Sequence, residues 1–246
     1  MTLPITVSVL VACIVAIVAV ATTLHRGAVL AGVDRRSARR LALGAGVAQT
    51  AWLTITAGVA ATGLYRADAD ETVPWIGVRL AVPLVLGVLA LRRPPVRAAL
   101  THPRMPALLA AVQTFRIVGG VFLVLLAGGQ LPAGFALPAG IGDVLVGLAA
   151  PAVAVALWRR PQRRALGLAF NAFGLLDLVV AIFLGVALAP GPLQAVVTEP
   201  TTVLMGLLPM VLVPTMAVPL AVLAHLVSLA LLRAPRAVTA RVAAAS

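Results

Sequence analysis

All nineteen basic residues of this chain are arginines, and sixteen of them fall into four clusters separated by long apolar runs. An apolar run of about 20 residues has one stable way to satisfy its backbone in lipid, as a helix crossing a hydrocarbon core about 30 Å thick. Composition points the same way. The 246 residues are 62% hydrophobic and 11% charged, against roughly 25% charged in a soluble domain. The net charge of +12 would suggest nucleic acid in a soluble protein, but no basic stripe interleaved with aromatics accompanies it, so no nucleic-acid partner is expected. The arginines read as anchors, with the lipid bilayer and its anionic headgroups as their partners.

Seven spans can be drawn, at about Leu3 to Leu24, Leu41 to Leu64, Trp75 to Leu91, Pro106 to Ala127, Pro138 to Trp158, Ala165 to Leu188 and Met210 to Leu232. The third is the shortest and contains Arg79. The expected fold class is therefore an all-α transmembrane bundle of about seven spans, a single transmembrane domain over residues 1–246 with no soluble domain.

Arginines at 26, 35, 36, 39 and 40 follow the first span, those at 92, 93, 97 and 104 the third, those at 159, 160, 163 and 164 the fifth, and those at 233, 236 and 241 the last. The intervening loops carry Arg66 with Asp68, Asp70 and Glu71, then no charge, then Glu199 alone. Positive residues stay on the cytoplasmic side, which predicts the N-terminus outside and the C-terminus inside the cell (inner or plasma) membrane. No positive charge precedes the first apolar run, so it reads as a retained helix rather than a secretory signal. The loops at Gly128 to Leu137 and Ala189 to Pro209 are apolar enough to tuck back or to lie on the surface as a short helix.

A charge at the centre of a span costs on the order of 3 kcal/mol, so such residues should face the bundle interior and find partners. Arg79, Arg116, Asp143 and Asp177 are four of these, and their charges sum to zero. Depth along each helix pairs Arg116 with Asp177 near the midplane and Arg79 with Asp143 in the outer third. Gln113, Arg116 and Gly120 share a face of the fourth span, and Phe173, Gly174 and Asp177 a face of the sixth. Gln49, Asn171 and His225 would form a polar floor beneath the midplane pair. In one reading Arg116, Asp177, Gln113, Asn171 and His225 make a substrate or proton site, with Arg79 and Asp143 an outer ion pair; in the other these groups only hold helices together. Pro209, Pro214 and Pro219 interrupt the last span.

Other classes fail on the residues. Without lysine there is no retinal Schiff base, and with three histidines and one cysteine neither a bis-histidine haem nor a zinc site is expected. No cofactor or metal follows. Ser228 near His225 makes no triad, no G-x-S-x-G occurs, and no phosphate-binding loop is present.

The stretch from Gln113, Arg116 and Gly119 through Leu131, Pro132, Phe135, Gly140, Gly142 and Asp143, then Asn171, Gly174, Asp177, Pro214, Pro219 and His225, resembles a family of uncharacterised bacterial multi-pass integral membrane proteins. The resemblance covers roughly the C-terminal half and implies a membrane protein with no stated activity. Three functions stay open: a small-solute or ion transporter, a non-catalytic assembly or sensor subunit acting as a homo-oligomer or with a partner subunit, and a membrane-embedded enzyme acting on a lipid or isoprenoid.

Overall fold

Helix follows helix wherever the apolar runs lie. The computed structural model describes residues 2–68, 70 and 75–234, apart from the side chains of Trp75, Ile76 and Arg79. It comprises α1 (Leu3–Leu30), α2 (Arg35–Ala61), α3 (Trp75–Leu91), α4 (Pro94–Ala99), α5 (Met105–Val112), α6 (Gly120–Ala127), α7 (Ala133–Arg159), α8 (Arg164–Ala187) and α9 (Val218–Arg233). No strand occurs among the described residues. Among the described residues the winding departs from the α-helix in three places, two of them within the long helical stretches. Gln113–Gly119 winds as a tight 3-10 helix joining α5 to α6, and Val213–Ala217 as a wide π turn leading into α9.

The turns follow from local chemistry. Gly32 takes φ 83° after α1, letting the Val33 N–H reach back to the Ala28 carbonyl at 2.9 Å, while Asp34 caps α2 by accepting from the Ser37 N–H at 2.9 Å. Gly129, at φ 65°, ends α6 the same way, with the Gln130 N–H on the Leu125 carbonyl at 2.8 Å.

Among the described residues six helical stretches are long and apolar enough to cross a membrane: Leu3–Leu30, Arg35–Ala61, Met105–Ala127, Ala133–Arg159, Arg164–Ala187 and Val213–Arg233. Helix α3 falls short of them. Its 17 residues span about 25 Å at 1.5 Å each. Outward faces carry Leu3, Val47, Val179 and Phe183, all at least 60% exposed, a surface suited to lipid rather than water.

The arginine clusters converge on one end. Ala28, Ala38 and Ala99 pack together, bringing the first two clusters side by side. The Arg104 guanidinium lies 4.8 Å over the Trp158 ring, joining the second to the third. Leu232 fills the space at Gly167 and so places Arg233 near Arg163 and Arg164. Arg236 and Arg241 lie outside the described residues. At the other end Leu131 and Phe135 turn inward, whereas Leu137 is 44% exposed. The segment after α8 forms no surface helix; a short 3-10 turn, Val203–Gly206, buries Met205, and the Thr202 hydroxyl donates to the Gly185 carbonyl at 2.8 Å.

Candidate functional site

Helix α7 packs against α5, α6, α8 and the 3-10 stretch between α5 and α6, and α9 closes the bundle against α5 and α8. Arg116 projects from the 3-10 stretch into this core, only 2% exposed. Its guanidinium is a planar fork of donors, and all three of its nitrogens are engaged. Nε donates to Asp143 Oδ1 at 2.6 Å, Nη2 donates to Asp177 Oδ2, and Nη1 donates to the Gly174 carbonyl at 3.3 Å. Nη1 also lies 3.4 Å from His225 Nε2.

Arginine can only donate, so Nε2 of His225 is the accepting nitrogen and Nδ1 carries the proton. Nδ1 then donates to Asn171 Oδ1 at 2.8 Å, and Asn171 Nδ2 donates to the Gly167 carbonyl at 2.7 Å and to Ser228 Oγ at 3.0 Å. Donors and acceptors thus run in one direction from Arg116 through His225 and Asn171 to Ser228. The Phe170 ring tilts against His225 at 5.7 Å and completes its enclosure.

Three glycines make room for this cluster. A Cβ at Gly119 would strike Asp143, one at Gly142 would strike Asp177, and one at Gly174 would strike the His225 ring. Each glycine sits where one helix must leave space for a polar side chain from another, a close approach of the kind small residues permit in membrane bundles.

The placement of Asp143 corrects the depth argument. A span opening at Pro138 puts Asp143 near its start, but α7 opens at Ala133, which sets Asp143 about 15 Å along it, level with Arg116. Arg116 therefore holds both carboxylates; the Arg79 side chain, expected beside Asp143, lies outside the described residues. Phe173 does not share the inward face, being 48% exposed, and Phe170 stands there instead. Gln49 is not part of a floor beneath the cluster. Its Nε2 donates to Ala45 of its own helix at 3.1 Å, and it lines a separate apolar cavity. Gln113 donates through Nε2 to the Ala221 carbonyl at 3.1 Å, and its buried Oε1 has no partner among the described residues.

One contact has no counterpart in the sequence reading. Pro219 lacks the N–H that would bond the Thr215 carbonyl four residues back, and Trp52 of α2 donates its indole N–H to that oxygen at 2.8 Å. The proline signals the orphan acceptor; nothing local signals that α2 supplies the donor.

A cavity of about 20 Å3 lies between the 3-10 stretch and the π turn, with Arg116, Gly119, Asp143, Val213 and Ala217 on its wall. It has room for about one water. Among the described residues no group of three or more His, Cys, Asp or Glu side chains could hold a metal ion. Outside the spans, burial and the nearby Arg104 hold the His102 imidazole below its ordinary range.

The architecture is that of an all-helical protein with the makeup of a membrane protein and a charged cluster buried among its helices. The chain belongs to the family described as Domain of unknown function (DUF8737), whose model matches residues 73–233 and so takes in every residue of the cluster. Neither a curated protein nor a solved structure matches the chain.

Proposed function

We propose that this protein is a proton-coupled carrier of a small solute or ion, with Arg116, Asp143 and Asp177 as its proton site and His225 and Asn171 as the hydrogen-bonded relay behind it. The observation that carries this reading is charge. Two carboxylates share one buried guanidinium, so the described cluster has one negative charge in excess and closes it with one proton. Burial without that neutralisation is costly.

The backbone around the site supports the same reading. Arg116 sits on a mid-span 3-10 stretch opposite a π turn, and both irregular windings mark places where a helix can change register. The cavity between them has room for about one water. The larger apolar cavity is lined by neither carboxylate nor by His225, which weighs against an enzyme using these groups on a lipid. We place the arginine-rich end in the cytoplasm of the cell membrane; reporter tags at Gln130 and Ser246 then fall on opposite faces.

The test is thermal unfolding of purified protein against alkali-metal ions, amino acids, organic acids and sugars over a pH series, for the wild-type chain and Asp177→Asn. At least one class should raise the unfolding temperature of the wild type in a pH-dependent way, and the variant should lose that dependence. A variant that keeps both ligand response and pH dependence contradicts the role of Asp177. No response in any class would favour a non-catalytic assembly subunit, for which exchanging Arg116 and Asp177 should leave function intact.

A further inference from the structure

We propose that the groove between α1 and α2 holds one anionic phospholipid, with its phosphate on Arg39 and His25 and its acyl chains along the apolar faces of the two helices. This rests on the membrane reading of the helices and not on the proton site, none of whose residues lines the groove. The two helices pack as a hairpin, so the end of α1 and the start of α2 lie side by side. On α2 the groove is lined from Arg39 through Leu43, Gly46, Thr50 and Thr54 to Ile55, positions three and four apart that share one face, and on α1 from Ile17 to His25. It encloses about 1000 Å3, at the upper end of the range of about 300–1,000 Å3 found for small-ligand sites.

Small residues make the floor and larger ones the rims. Ala21, Ala42 and Gly46 line the groove, and a Cβ at Gly46 would meet nothing within 4 Å. Val18 on α1, and Leu43 and Val47 on α2, are each more than half exposed. From Arg39 to Ile55 the groove covers about 24 Å at 1.5 Å per residue, close to the depth of one leaflet with its headgroup layer, about half of 40–45 Å.

Charge selects the occupant. Of the residues lining the groove only His25 and Arg39 are ionisable, and both stand at the arginine-rich end. Arg39 has no carboxylate partner among the described residues. Its guanidinium can take a phosphate through two parallel N–H bonds, and an imidazole N–H adds a third donor. Arg35, Arg36 and Arg40 lie within the same first two turns of α2, and they favour a head with net negative charge over one that carries its own cation. A second copy of the chain meets the opposite condition. Two copies inserted the same way round and joined through α2 would set these four arginines against their counterparts at the same level, whereas a phospholipid brings opposite charge to that level and apolar chains below it.

The test uses full-length protein purified in a neutral detergent and stripped of lipid, with bound lipid counted by native mass spectrometry. Dioleoyl phosphatidylglycerol should add as one tightly held copy and dioleoyl phosphatidylcholine should bind more weakly, while glycerol phosphate, a headgroup without chains, should displace neither. Arg39→Gln should weaken phosphatidylglycerol about tenfold, the worth of a charge-assisted hydrogen bond. Arg40→Gln removes an equal charge from a position that does not line the groove and should change the affinity by less than about twofold. Gly46→Leu keeps every charge, fills the floor, and should weaken the lipid as much as Arg39→Gln does. Equal losses at Arg39 and Arg40 would reduce the site to diffuse surface charge, and displacement by glycerol phosphate would reduce it to a plain anion site. A lipid-free dimer split by Gly46→Leu would give the groove to a second copy. Each of these results overturns the proposal, and the comparison of the two exposed arginines decides it even if Gly46→Leu fails to fold.

Discussion

Helices α2 and α7 are equally long, at 27 residues, yet α2 buries three of them and α7 buries ten. Both contain glycines, and the glycines meet opposite fates. Those of α2, Gly44, Gly46 and Gly58, face open space, whereas Gly140, Gly142 and Gly147 of α7 are filled by Leu123, Asp177 and Ile117. In lipid there is no hydrophobic drive to press one apolar helix onto another, so small residues make an interface only where a neighbour brings shape or a polar partner. Helix α7 has such a partner in Arg116; α2 is tied to the last span through one indole N–H.

The sharpest way to break this contrast is to remove the guanidinium. Arg116→Met leaves two carboxylates buried without a counter-charge among the described residues and should destabilise the protein by about 3–5 kcal/mol, seen as loss of folded protein or a large fall in unfolding temperature. Adding Asp143→Asn and Asp177→Asn to the same chain should recover much of the loss. Equal losses in the single and triple variants would show that shape, not charge, holds α7.

A paired glycine substitution comes next. Gly142→Val should cost about 1–3 kcal/mol by overpacking, whereas Gly46→Val should change stability by no more than about 0.5 kcal/mol, both read by thermal unfolding. Similar effects at the two positions would erase the distinction between the helices. Trp52→Phe keeps the ring and removes the donor to Thr215, and should cost about 1 kcal/mol.

The smallest effect belongs to Asp34, at the exposed tip of the α1–α2 hairpin. The Ser37 backbone and side chain hold its carboxyl below the ordinary carboxylate range. A lowered folded-state value means its contribution is complete above the unfolded carboxylate range and is lost as pH falls through the lowered value. Asp34→Ala should therefore flatten the acid side of the stability–pH curve slightly and leave its alkaline side unchanged.

These contrasts mark what a linear reading reaches. Apolar length and arginine spacing give the helical class, and the depths of Arg116 and Asp177 bring them to one level, along with Asn171 and His225 nearby. Depth failed for Asp143 because Pro138 looks like a helix start, while the extra turns from Ala133 push the carboxylate inward. It failed for Gln49 because a periodic pattern does not say which neighbour a lipid-facing helix turns toward. The Trp52 bond to Thr215 joins residues 163 apart in sequence, and only folding reveals that pairing. Helix α3 is the shortest of the spans drawn, and its 17 residues fall short of the other six in length.

The decisive measurement is infrared spectroscopy of the purified protein near neutral pH, in the region where a protonated carboxylic acid absorbs. One guanidinium serving two buried carboxylates predicts such a band in the wild-type chain and its disappearance in both Asp143→Asn and Asp177→Asn, each of which leaves a single carboxylate for Arg116. A wild-type spectrum without the band, or one unchanged by both substitutions, would contradict the shared proton on which the account rests.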